Sequence, residues 1–209
     1  MQLQAFIQHV NAPAPAFVCG DGDDSTQEFV ARVRNDLSLP AMPSAVRSLN
    51  QRLVNSTGTN YCTDYTQMLS HHDGLELYCD PKSYVRGIEF YPIHELDDRT
   101  YEMVSRRGEP GDDFLLDANR RPLKLAIAEI CNSGNYFAIN REGRIYYIDH
   151  DDWTTNPFAE TFIDFLGKIV SDPAKFLRDA GCYTRYSDGI DDLRWIPKIY
   201  VDDIAEIVR

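Results

Sequence analysis

Cations are scarce in this sequence. The chain of 209 residues has 21 lysines and arginines against 33 aspartates and glutamates, which gives a formal net charge of -12. A field of that sign opposes non-specific attraction to a phosphate backbone and favours a basic partner. We therefore expect the protein to bind another protein and not a nucleic acid.

Cysteine pairs and long apolar runs are also lacking. The five cysteines are odd in number and none has C-x-x-C spacing, so they indicate neither a disulfide framework nor a zinc knuckle. No apolar run approaches the roughly 18 residues of a membrane span, and the N-terminus lacks the features of a signal peptide. We expect a cytoplasmic protein with reduced thiols and no membrane attachment.

Motifs that mark a catalytic or metal site are missing as well. The sequence contains no Gly-rich phosphate loop, no G-x-S-x-G and no H-E-x-x-H. DGDDS is followed by Thr26 and Arg32 where a calcium loop needs glycine and a bidentate acid, so a solvated turn is favoured. We expect a protein without an enzymatic role, cofactor or bound metal.

The adjacent pair His71-His72, followed by Asp73, invites a metal reading. Neighbouring residues on a helix point about 100° apart, so the two imidazoles cannot easily share one ion. Gly74 supplies a residue that commonly closes a helix. The pattern therefore predicts the last turn of a helix, where a cationic imidazole stabilises exposed carbonyls.

Apolar spacing predicts the other elements. Ser25 and Glu28 form a capping-box pattern that predicts a helix over 25–37, and Pro43 begins another. Strands are predicted at 75–79 and 85–93, with a short helix over 100–106 between them and the next strands. LAIAEIC, NYFAIN and GRIYYID, separated by Gly-containing turns, predict an antiparallel meander. Asn156-Pro157 is predicted to cap a helix with an apolar face from Phe158 to Ile169.

Three segments in this order resemble the SUKH superfamily, which includes yeast cell-wall-synthesis regulators and many bacterial immunity proteins. They are TDYTQMLSHHDGLELY (63–78), NYFAINREGRIYYIDHDD (135–152) and FAETFIDFLGKI (158–169). The resemblance implies an α+β fold, with one antiparallel or mixed sheet and helices packed on it. It implies a single SUKH-like core over 42–170, an N-terminal helical extension over 1–41, and a C-terminal extension over 171–209 packed on the core.

The resemblance also implies a non-catalytic binding role. Bacterial members typically neutralise a toxin encoded beside them by occluding it. We therefore expect an immunity protein for a co-encoded polymorphic or secreted toxin, such as a basic nuclease or deaminase. A regulatory scaffold is the alternative, and we expect a monomer or weak homodimer.

A partner-binding surface is predicted after the meander. From Ile145 to Gly167 there are five acids and no lysine or arginine, together with aromatic residues. Acids steer a cationic partner and aromatics anchor it, so the predicted contact residues are Tyr147, Asp149, His150, Asp151, Asp152 and Trp153. The alternative is that acids stabilise a helix N-terminus and aromatics fill the core, which we favour for Asp164 and Phe162. A rival enzyme reading makes His150 and the three aspartates a hydrated metal cluster.

Overall fold

The structure is a computed structural model with five α-helices and eleven β-strands in the residues that it describes. Those residues are 2–12, 16–20, 29–32, 34–57, 63–79, 87–105, 122–130, 134–150, 154–173, 176, 183–184 and 193–196. The helices are α1 (Leu3–Asn11), α2 (Pro43–Thr57), α3 (Thr63–Leu69), α4 (Leu96–Ser105) and α5 (Phe162–Ser171). Within these ranges, no helix combines the length and apolar character needed to cross a bilayer.

Seven strands that follow one another in sequence form the main sheet, and each runs antiparallel to its neighbours. They are β3 (Arg34–Leu37), β4 (Leu75–Cys79), β5 (Ile88–Phe90), β6 (Lys124–Ile130), β7 (Asn135–Asn140), β8 (Ile145–Ile148) and β9 (Thr155–Ala159). The predicted meander corresponds to β6, β7 and β8 and is confirmed. The predicted strand over 85–93 is shorter, because Pro92 follows it closely.

A second sheet joins segments from the two ends of the chain. It contains β1 (Ala16–Gly20), β2 (Phe29–Arg32), β10 (Tyr183–Thr184) and β11 (Leu193–Ile196), in the order β10-β11-β1-β2. All of its pairings are antiparallel, and Cys19 lies opposite Trp195. The sequence patterns did not predict this sheet, because its strands are short and its central pairing, β1 with β11, joins segments that are distant in sequence.

Helices α1, α3 and α5 pack on one face of the main sheet. The Phe90 ring of β5 lies 5.8 Å from the Phe165 ring of α5, and Tyr65 of α3 meets Phe162 edge to face at 5.4 Å. The Tyr78 hydroxyl donates to the Ile169 carbonyl at 3.0 Å. All five side chains are fully buried, and each large apolar side chain buried in this way stabilises the fold by roughly 1.5–3 kcal/mol.

Helix α4 packs on the opposite face. Alternation along β5 puts Glu89 and Phe90 on different sides of the sheet. On the Glu89 side, the Tyr91 hydroxyl donates to Glu129 Oε2 at 2.8 Å, and the Arg99 guanidinium of α4 lies 4.9 Å from the Tyr91 ring centre. Helices therefore cover both faces, and the predicted α+β fold is confirmed.

The helix predicted over 25–37 is wrong between residues 29 and 37, where β2 and β3 stand. Phe29, Val33 and Leu37 are spaced by four, and even spacings also place residues on one face of a strand. The pairing of β3 with β4 selects the strand over the helix. The Asn35 side chain reinforces that pairing, since Oδ1 accepts from Tyr78 N at 3.2 Å and Nδ2 donates to Val10 O at 3.1 Å.

The helix start predicted at Asn156-Pro157 is also wrong. Residues 155–159 form β9 at the edge of the sheet, a position that tolerates a proline. Helix α5 begins at Phe162, and its cap is Thr161, whose side chain accepts from Asp164 N at 3.1 Å. A threonine cap three residues before an acid is a sufficient local signal, but the Asn-Pro pair is a competing one.

His71, His72 and Asp73 form a junction just past the end of α3. Nδ1 of His72 lies 3.0 Å from the Ser38 carbonyl, so it carries the proton, and Nε2 lies 3.3 Å from Asn11 Nδ2. Asp73 Oδ1 accepts from Ile93 N at 2.8 Å. Both ring nitrogens of His72 therefore contact neighbouring segments, Ser38 and α1. The predicted helix end lies here, but α3 ends at Leu69, so the two histidines follow its last turn and do not stand in it.

Candidate partner-binding site

Asn135, the first residue of β7, organises the predicted partner-binding surface. Its buried Oδ1 accepts a hydrogen bond from His150 N at 2.8 Å and lies 2.8 Å from His150 Nδ1. Because an amide oxygen only accepts, Nδ1 carries the proton. The Asn135 Nδ2 group donates to the Tyr147 hydroxyl at 2.5 Å. One buried amide thus fixes two of the predicted contact residues.

The His150 ring packs against the backbone of Gly134. The φ of Gly134 is +73°, in the left-handed region that favours glycine. A Cβ at this position would lie 3.4 Å from His150 Cγ. A Cβ would therefore meet the ring at an ordinary van der Waals distance, and the positive φ is what favours glycine here.

Tyr147 is half-buried and belongs to an aromatic cluster as much as to the surface. Its ring centre lies 5.4 Å from that of Phe137 and 6.5 Å from that of Phe158. The same cluster contains Phe165 and Phe176. Tyr147 therefore presents only part of its ring to a partner, and the core holds that ring rigidly.

Asp149 and His150 begin the loop between β8 and β9. Asp149 N donates to Thr154 O at 3.2 Å, which joins the two described ends of the loop. His150 is exposed and Asp149 is half-buried. Asp151, Asp152 and Trp153 lie outside the described residues. The structure thus brings Tyr147, Asp149 and His150 together at one end of the sheet.

The acids further along the 145–167 stretch have local partners. Glu160 forms an ion pair with Arg144, with Oε2 and Nε 3.0 Å apart, and both side chains are largely exposed. Asp164 stands in the first turn of α5, as the helix-stabilising interpretation predicts. Lys168 Nζ donates to the Phe158 carbonyl at 2.6 Å. Glu160 and Asp164 therefore have local structural roles in the described part of the stretch.

A cluster of three described side chains outside the predicted partner-binding surface could hold a metal ion. Asp36, Glu76 and Cys79 place one donor atom each within 4.8 Å of one another. Arg34 already pairs with Asp36 at 3.1 Å, and the Cys79 thiol lies 3.7 Å from Glu76 Oε2. Burial, with the Glu76 and Asp36 carboxylates, raises the pKa of Cys79 to about 12. Without a bound cation the Cys79 thiol therefore stays protonated at neutral pH, and Asp36 is engaged by Arg34.

A buried carboxylate on the α4 face is a further perturbed group. Burial raises the pKa of Glu129, and the Glu89 and Glu102 carboxylates add to the effect, whereas the Tyr91 hydroxyl and Arg99 oppose it. Arg99 is in turn held by Glu95 at 3.1 Å and Glu102 at 3.5 Å. The network joins α4 to the sheet and lines no described cleft, so we assign it a structural role.

Sequence reasoning placed Asn135 at the start of the strand NYFAIN but gave it no role in the predicted surface. The pairing register of the β7–β8 hairpin would have revealed its position. Tyr136 pairs with Ile148, so residue 135 must lie beside residues 149 and 150. A buried asparagine can satisfy both a backbone amide and a side chain there.

Comparison with family models decides the relationship. The model described as SMI1 / KNR4 family (SUKH-1) matches residues 52–168, more than half of the chain. The chain belongs to the SMI1 / KNR4 (SUKH-1) family. The predicted resemblance to the SUKH superfamily is thus confirmed over residues 52–168, and the domain bounds at 42 and 170 stay a prediction. No curated protein sequence matches the chain.

SUKH-1 membership bears directly on the predicted surface. The matched segment includes β7, β8, β9 and the 149–154 loop. Membership is consistent with an immunity-protein type of role, and the family is generally non-catalytic and binds partner proteins. Of the predicted contact residues that the structure describes, His150 is exposed, whereas Tyr147 and Asp149 are half-buried.

Proposed function

We propose that the protein is an immunity protein that binds a toxin encoded beside it and blocks the toxin's basic active-site cleft. Family membership supports the proposal most strongly. The net charge of -12 supports the sign of the partner's charge. The proposed contact residues are Tyr147, Asp149, His150, Asp151, Asp152 and Trp153.

The rigid attachment of the loop favours tight binding. Asn135 fixes the His150 backbone and ring, and the Asp149–Thr154 hydrogen bond joins the described ends of the loop. A surface that is ordered before binding loses less conformational entropy on association. The carboxylates would accelerate encounter with a basic cleft, and the tyrosine and tryptophan would supply apolar contact.

The test is co-purification with the product of the adjacent toxin gene, followed by affinity measurement at low and high salt. Asp151→Lys with Asp152→Lys should weaken binding by more than about tenfold and reduce its salt dependence. Asp97→Lys with Asp98→Lys on α4 is the matched control, since it changes the net charge equally. Both acids stand in the first turn of α4, where they stabilise the helix, so circular dichroism must show that this control is folded before affinities are compared.

Two results would contradict the proposal. One is failure of the wild-type protein to bind the toxin. The other is an equal loss of toxin affinity in the 151/152 and 97/98 double variants. Binding would then depend on net charge and not on the proposed surface. The position of the gene in the genome distinguishes this proposal from the alternative of a regulatory scaffold. A gene that stands alone, without a toxin gene beside it, favours the scaffold.

A further inference from the structure

Two large apolar side chains stand out on the surface just before α2. Leu39 is 84% exposed and Met42 is 70% exposed. Spacing along the sequence predicts Met42 on the apolar face with Val46 and Leu49, yet only Leu49 is fully buried. Apolar side chains that remain so accessible on a folded surface often mark a contact with another protein.

The backbone that carries these side chains is fixed on both sides. Ala41 N donates to Leu69 O and Asp73 N donates to Leu39 O, both at 2.9 Å. Ser38 O accepts from His72 Nδ1 at 3.0 Å. Met42 O accepts from Val46 N at 3.1 Å as α2 begins. Leu39 and Met42 therefore project from an ordered frame, and binding there requires little further ordering of the backbone.

The same segment has no acids, although the chain as a whole is strongly acidic. Between Asp36 and Asp64 the sequence contains no aspartate or glutamate, and its charged residues are Arg47 and Arg52. Two acids from other described elements contact this region. Asp73 Oδ1 is engaged by Ile93 N, and Asp97 pairs with Arg52. The exposed positions of α2 next to Met42 are Ser44, Arg47 and Ser48.

We propose that Leu39, Met42, Ser44, Arg47 and Ser48 form a self-association face through which two copies of the chain pair about a two-fold axis. Two proteins of charge -12 repel each other, and the repulsion is least where neither copy presents carboxylates. Apolar side chains are complementary to themselves, as a two-fold interface requires. The acidic loop at 149–153 has neither property.

A basic toxin is the less suitable occupant of this face. Arg47 would repel a cationic cleft, and none of the five residues of the face is a carboxylate that could steer one. The self-association face and the proposed toxin surface therefore suit partners of different chemistry. The pairing does not depend on the proposed immunity function.

Salt dependence distinguishes the two interactions. Between about 0.01 M and about 1 M salt the screening length falls from about 30 Å to about 3 Å, which weakens repulsion between like-charged copies. Sedimentation velocity on the isolated full-length protein should show the dimer fraction rising with salt. Binding of a basic toxin should instead weaken with salt.

Two variants test where the copies meet. Leu39→Lys with Met42→Lys should raise the dimer dissociation constant at least about tenfold, although the added positive charge by itself reduces repulsion. Arg47→Glu should also favour the monomer, because it places a carboxylate on each copy of the face. The matched control, Gln4→Lys with Ser171→Lys, adds the same charge at exposed positions elsewhere and should dimerise at least as well as wild type.

Two outcomes would overturn the proposal. One is a wild-type protein that stays monomeric at about 0.5 mM in high salt, since even a weak dimer would then be populated. The other is a dimer that the Leu39/Met42 pair of substitutions leaves intact. Far-UV circular dichroism of each variant shows that it is folded before its association state is compared.

Discussion

Asn135 Oδ1 lies 2.8 Å from both the backbone nitrogen and the Nδ1 atom of His150. The two residues are separated by the β7–β8 hairpin, and they meet where that hairpin opens into the 149–154 loop. This relationship couples the stability of the sheet end to the geometry of the proposed contact surface.

Replacement of Asn135 should affect folding and binding together. Asn135→Ala leaves the His150 amide and the Tyr147 hydroxyl without this partner, and lost buried hydrogen bonds of this kind cost about 1–3 kcal/mol. Urea denaturation should show that loss in the free energy of unfolding. Affinity for the toxin should also fall, because the loop loses its fixed attachment.

Asn140→Ala is the matched control, at the other end of the same strand. Asn140 Oδ1 accepts from Glu142 N at 3.1 Å and Arg144 N at 2.9 Å, so its loss should also reduce stability. Toxin affinity should stay unchanged. If both variants weaken binding equally, the effect comes from stability and not from the loop.

Alanine should have graded effects at three glycines. Gly74 and Gly134 have φ of +87° and +73°, a region that costs a residue with a Cβ about 1–2 kcal/mol. At Gly74 the new Cβ would also lie 3.0 Å from Phe90 O, so Gly74→Ala should be the more destabilising. Gly167 lies in α5 with nothing within 4 Å, and Gly167→Ala should stabilise by up to about 1 kcal/mol. Thermal denaturation of the three variants would reveal any other order.

The pH dependence of stability should carry a component from Glu129. Its pKa is raised above the ordinary value of 4.5, so the folded state holds the proton more firmly than the unfolded state. That contribution is present at low pH and is lost as the pH rises through the folded pKa. Glu129→Gln should remove it, so the stability of the variant relative to wild type should increase with pH above about 4.5.

Tyr91→Phe should have the opposite effect on that trend. The Tyr91 hydroxyl donates to Glu129 and lowers its pKa, so removing the hydroxyl raises the pKa further. The loss of stability with rising pH should then be steeper than in wild type. Urea unfolding across pH 4.5 to 7.5, on the scale of about 1.4 kcal/mol per pKa unit, measures both variants. A relative stability that is flat with pH would contradict the assignment.

Cys79 should be slow to react with an alkylating reagent. Its pKa is raised to about 12 by burial and by the carboxylates of Glu76 and Asp36. In a variant whose other four cysteines are serine, the alkylation rate should keep rising above pH 10. Glu76→Gln should shift that profile to lower pH, whereas Glu89→Gln on the next strand should shift it less. An alkylation profile of the folded protein with its midpoint near the ordinary cysteine pKa of about 8.5 would contradict the raised pKa of Cys79.

Local signals in the sequence predicted the elements that depend on local interactions. The meander was predictable because alternating apolar runs meet Gly-containing turns, and α2 because Pro43 marks its first turn. β3 was missed because four-residue spacing fits a helix and a strand equally. Only its pairing with β4, distant in sequence, selects the strand.

The candidate site was predicted from charge and aromatic content, and its role in binding stays a prediction. Tyr147, Asp149 and His150 do lie together. Their common anchor, Asn135, follows from hairpin register, which composition cannot supply. The ion pair between Arg144 and Glu160 was hidden by counting acids only from residue 145 onward.

Pro157 stands in β9, the last strand of the seven-stranded sheet. Proline has no amide hydrogen, so this rim cannot offer an incoming strand an unbroken ladder of donors. Pro157 therefore discourages polymerisation by strand addition at the β9 edge of the sheet. A partner at this edge would therefore be bound through side chains and not by addition of a strand to the sheet.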